Sequence, residues 1–141
     1  MKKNILALLL CVLMAAAGCA LAEAPSAFDS CMASIVEQSE GIKDSLETEE
    51  LTQLEMNEKA YALRMLWDTA AGYAMYEAMN ARPEEAQALL AEQRTWLEER
   101  DEAVLAAGKD YAGGSMYQLI VDMEAARITQ ERVNELQELL K

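Results

Sequence analysis

The chain is 141 residues long and carries 12 Lys and Arg against 25 Asp and Glu, with no histidine, for a formal net charge of −13. Phosphate binding needs a basic footprint, so this balance excludes nucleic acid as a partner. The absence of histidine excludes His-based triads, Glu-x-x-His metal pairs and His-ligated haem.

Met1-Lys2-Lys3-Asn4 is a short positive region, and Ile5 to Ala17 follows it without a charge. The run is shorter than the roughly 20 apolar residues of a comfortable membrane span, so residues 1–22 are expected to be a secretory signal. Two cleavage sites compete. Ala20-Leu21-Ala22 before Glu23 suits ordinary signal peptidase, whereas Ala16-Ala17-Gly18-Cys19 has the form of a lipoprotein box with Ala16 where Leu is usual. In the second case Cys19 is lipidated and the protein is anchored to the envelope membrane; in the first it is periplasmic or extracellular. Loss of Lys2 and Lys3 takes the net charge from −13 to near −15. Cys31 then remains as the single thiol in an oxidising compartment, either free or bridging a disulfide-linked dimer.

After a short linker with Pro25, Phe28, Met32, Ile35 and Val36 recur at helical spacing, which predicts a helix over 28–40 ended by Gly41. Lys43 to Glu50 is polar and reads as a loop or a frayed first turn. Leu51, Leu54, Leu63, Leu66, Trp67, Ala70, Tyr73, Ala74 and Met79 predict a long helix over 51–80, broken at Arg82-Pro83. Pro83-Glu84-Glu85 opens a third helix that runs to about Ala107, with Gly108 as its end. Lys109 to Gly114 is a loop. Ser115 then serves as an N-cap, with Gln118 completing a capping box. Leu119, Ile120, Met123, Ile128, Val133, Leu136, Leu139 and Leu140 line the last helix. No strand alternation appears. The expected fold is all-α, a single-domain bundle of about four helices over 23–141.

In the third helix Leu89, Leu90, Gln93, Trp96, Leu97, Arg100 and Val104 share one face. Two readings fit the polar members. Trp96 fills core volume while Arg100 stacks on an aromatic ring or pairs with a carboxylate of another helix, or these residues form a recognition surface, since Trp and Arg are enriched at binding hot spots. Gly113-Gly114-Ser115 lacks the Lys of a phosphate loop and reads as a turn. Glu84-Glu85 and Glu98-Glu99 are adjacent on helices and do not face each other as a carboxylate dyad would. No cofactor, metal site or enzymatic activity is expected.

Ala91, Gln93, Trp96, Arg100 and Asp101, followed by Gly113-Gly114-Ser115 and then by Thr129, Arg132 and Leu136, resemble in their order the LprI-like lysozyme-inhibitor domain, a small helical module of bacterial exported proteins. Glu92 is an insertion relative to that pattern. The resemblance implies export and a disulfide whose two positions are held here by Val104 and Glu124, so that cross-link is absent whole. The N-terminal third departs further: an "LN-x-x-Y" element survives only as Met56-Asn57 with Tyr61 one place late. The resemblance further implies a protein-binding module that occludes a basic lysozyme, and opposite charge would speed that encounter. Glu98, Glu99 and Asp110 are the candidate partner contacts. The alternative is a structural or adaptor protein of the envelope, in which Gln93, Trp96, Arg100, Asp101, Gly113, Gly114, Ser115, Thr129 and Arg132 only build the fold, and acidity only keeps the chain soluble.

Overall fold

The computed structural model describes residues 24–141, so the leader, both cleavage sites and Cys19 lie outside the described residues. Among the described residues there are four α-helices and no strand. Helix α1, Ala27–Thr48, starts at a capping box: the Ser26 hydroxyl accepts the Asp29 N–H at 3.0 Å, and the Asp29 carboxylate accepts the Ser26 N–H at 3.3 Å. Gly41 does not end it, contrary to the sequence expectation. A mid-helix glycine costs only about 1 kcal/mol, and continuing to Thr48 buries Ser45 and sets Ile42 against the core.

Helix α2, Gln53–Ala81, starts at a second box, Thr52 with Glu55. The hydroxyl and N–H of Thr52 reach the Glu55 carboxylate at 2.7 and 2.8 Å and hold it below its ordinary pKa. Helix α3, Ala86–Gly108, begins later than Pro83. Residues 83–85 form a turn instead, because tight i+3 bonds from Glu85 N–H to the Arg82 carbonyl and from Ala86 N–H to the Pro83 carbonyl come first. A 3-10 turn, Lys109–Tyr111, and Gly113 at φ 80° lead into α4, Tyr117–Glu138. Ser115 is not its N-cap, and Gln118 closes no capping box. Met116 holds the cap position without a side-chain bond, and the Gln118 amide donates to Asp122 at 2.6 Å. A buried carboxylate needs that donor more than an exposed helix start does.

α2 and α4 form the central pair, with α1 packed on α2 and α3 on α4. Ala60, Ala70, Ala74 and Ala78 of α2 and Ala125 and Ala126 of α4 are nearly or fully buried, and such small side chains let helix axes approach closely. Trp67, 2% exposed, sits in a cluster with Met32, Ile35, Leu63, Ala71, Ala126 and Val133. Met75, Leu89 and Leu136 anchor a second cluster toward the chain end. Leu54, expected on the apolar pattern of α2, is 66% exposed.

Two glycines test this packing from opposite sides. A Cβ on Gly108 would lie 2.6 Å from Val121 Cγ1 and 2.7 Å from Tyr117 Cε2, whereas one on Gly72 meets nothing within 4 Å. Gly108→Ala is expected to cost about 1–3 kcal/mol through overpacking. Gly72→Ala is expected to stabilise by about 0.5–1 kcal/mol, the helical preference of alanine. Paired urea melts check both; a stabilised Gly108→Ala would mean that α3 and α4 do not meet there.

Candidate functional site

Helical spacing puts Gln93, Trp96 and Arg100 on the side of α3 that faces α4, and there they meet Thr129 and Arg132. Both guanidiniums lie over the Trp96 ring, Arg100 at 5.3 Å and Arg132 at 5.9 Å from its centroid. Arg100 Nη1 donates to Asp68 at 2.8 Å and to the buried Thr129 hydroxyl at 3.3 Å, which joins α3 to both α2 and α4. Its Nη2 reaches Asp101 at 3.2 Å. Arg132, 6% exposed, donates from Nε to Gln93 at 3.0 Å and pairs through Nη1 with Glu92 at 2.9 Å and Glu135 at 3.0 Å. Its Nη2 is buried without a partner among the described residues. Trp96 is only half-buried. It covers the two arginines rather than filling the core, which is the part Trp67 plays.

A second polar cluster continues this seam, and the sequence reading missed it. Asp122 is fully buried and accepts from Arg64 at 2.8 Å and from Gln118 at 2.6 Å. Arg64 also lies 3.5 Å from Asp68. Burial opposes the charge on Arg64, yet Asp122 and then Asp68 hold its pKa above the ordinary value. The signals were present, since Gln118 and Asp122, like Arg64 and Asp68, stand four apart on a helix. Their partners on other helices were not legible. One continuous run, Gln118–Asp122–Arg64–Asp68–Arg100–Thr129, therefore crosses three helices, with Trp96 and Arg132 at its end.

The remaining motif residues lie apart. Gly113, Gly114 and Ser115 are exposed in the turn before α4, where the Ser115 carbonyl accepts from Asn57 at 3.3 Å. Asn57, the survivor of the "LN-x-x-Y" element, thus ties the start of α2 to the Gly-Gly-Ser turn. Glu98, Glu99 and Asp110 are exposed, but Asp110 sits in the 3-10 turn beyond Gly108, whereas Glu99 lies about 14 Å back from that end of α3, so they do not make one patch. Cys31 is a free, half-buried thiol packed on the Trp67 cluster. A cleft of about 350 Å³ opens beside Leu63, Trp67, Ile120 and Met123, with Lys43 at its rim donating to Gln130 at 3.0 Å. No group of three or more possible metal ligands occurs among the described residues.

Fold and seam together define a small, acidic helical domain in which Arg64, Arg100 and Arg132 join the helices through carboxylates and amides. The chain belongs to the lysozyme inhibitor LprI family, whose model matches residues 44–136, from the last turn of α1 almost to the end of α4. No curated protein and no solved structure matches the chain.

Proposed function

We propose that the protein is an exported inhibitor of a basic lysozyme, binding it as an acidic partner. The observation that carries this reading is the family match across α2, α3 and most of α4. The net charge of −13 supports it, because opposite charges steer and orient the encounter. Export rests on Lys2, Lys3, the apolar run and Ala20-Leu21-Ala22; intact-mass measurement of the native protein is expected to give Glu23 as the first residue, and a retained Met1 would overturn it.

The assay is loss of turbidity of a cell-wall suspension by a basic lysozyme, with and without excess folded protein. Inhibition is expected at low salt. It should weaken severalfold on raising salt to physiological strength, where exposed charges are screened beyond a Debye length of about 8 Å. Folded protein that fails to inhibit at low salt would leave the adaptor reading. That reading is favoured by the seam itself, which engages Gln93, Trp96, Arg100, Thr129 and Arg132 in joining α3 to the rest of the bundle.

A further inference from the structure

The outer face of α2 is left uncovered by the other three helices. Leu54, Tyr61, Met65 and Tyr76 are 66, 50, 41 and 61% exposed. With 3.6 residues per turn they fall, together with exposed Gly72, within an arc of about 60° and along about 33 Å of helix. Singly exposed apolar residues need no explanation, but four aligned along one helix face are the kind of surface on which proteins associate. Gly72 leaves a recess between Met65 and Tyr76, since nothing stands within 4 Å of where its Cβ would be. The Arg64 guanidinium lies 5.6 Å from the Tyr61 ring centroid and limits its freedom.

The charge around the stripe selects its occupant. Glu58 lies within the same arc and is exposed. Asp68 stands at its edge, and Arg100 holds Asp101 beside it by contacting both carboxylates, at 2.8 and 3.2 Å. The nearby cations are already paired: Arg64 with Asp122 and Asp68, Arg100 with Asp68, and Lys59 with Glu49 at 3.9 Å. A second copy of this chain would bring carboxylates against carboxylates, on a protein of net charge −13. A basic protein gains from Glu58, which no cation engages among the described residues, from the net charge of −13, and from the aromatic side chains at the centre, the residue type enriched at hot spots.

We infer that the outer face of α2 is the docking surface for a basic protein, with Tyr61 and Tyr76 as anchors and Glu58 as the unpaired acid beside them. The inference rests on the inhibitor reading and moves the contact away from Glu98, Glu99 and Asp110. Its test is calorimetric titration of a basic lysozyme, at low salt, into the wild-type chain and three variants. Tyr61→Ala/Tyr76→Ala and Glu58→Lys are each expected to weaken binding at least tenfold. Glu98→Gln/Glu99→Gln/Asp110→Asn is expected to change it less than threefold. All these side chains are exposed, so the variants should keep the wild-type circular dichroism. Should the tyrosine pair fail to fold, Glu58→Lys and amide protection of residues 54–76 in the wild-type complex decide the matter. Wild-type binding that none of the α2 variants disturbs overturns the surface and leaves the inhibitor reading standing; absence of wild-type binding overturns both. Sedimentation of a wild-type dimer that the tyrosine variant dissolves would assign the face to a second copy and also overturn the inference.

Discussion

Trp67→Ala is expected to lower the free energy of unfolding by about 3–5 kcal/mol, the scale for emptying a fully buried aromatic site. Trp67 is 2% exposed and touches side chains contributed by α1 and α4 as well as its own helix, so the cavity cannot close by moving one neighbour. Trp67→Phe is expected to cost much less. The indole Nε1 is buried without a partner among the described residues, and an unmade hydrogen bond of that kind already costs about 1–3 kcal/mol. Trp96→Ala is expected to cost only about 1–2 kcal/mol, from partial burial and two cation–π contacts. Chemical denaturation of the three variants ranks them; a larger loss at Trp96 than at Trp67 would exchange their roles.

Asp122→Ala is the second large effect, expected at about 2–3 kcal/mol. Removing one member of a buried ion pair typically costs about 3–5 kcal/mol. The figure is lower here because the Arg64 side chain keeps 35% of its surface in water and can be rehydrated, while the Asp122 side chain has none exposed. Gln118 also loses its acceptor. The adjoining bonds from Arg100 to Asp68 and Thr129 do not involve Asp122, so α3 should stay docked and the transition should remain cooperative. A denaturation midpoint unchanged by Asp122→Ala would show that the buried carboxylate does not hold α2 to α4. Asp122→Asn retains an acceptor for Gln118 and is expected to fall between wild type and alanine.

The helices were legible because each is encoded locally. Apolar residues at three and four, the break at Arg82-Pro83 and the Gly-rich turn near 113 needed no tertiary information, and among the described residues four helices stand where they imply. Ends were less legible. Gly41 and Ser115 are ordinary stop and start residues, but α1 gains core contacts by continuing past one, and Gln118 serves Asp122 instead of capping beside the other. The family likeness was legible too, from the ordered run Gln93, Trp96, Arg100, Asp101, Gly113-Gly114-Ser115, Thr129 and Arg132.

By itself, then, the amino-acid sequence determined the helical class, the acidity, the lack of histidine chemistry and the family. Periodicity shows which residues share a face, but not which face another helix covers. On α2 apolar residues run almost all round, so only packing decided that Leu63 and Trp67 lie inside while Leu54, Tyr61, Met65 and Tyr76 remain outside. Only packing, likewise, brought Arg64 to Asp122 across 58 residues and Arg100 to Asp68 across 32. An ion pair between helices depends on their relative rotation and axial offset, and those are set by the side chains packed between the helices, the small alanines and the large Trp67 of α2 among them, rather than by any local pattern.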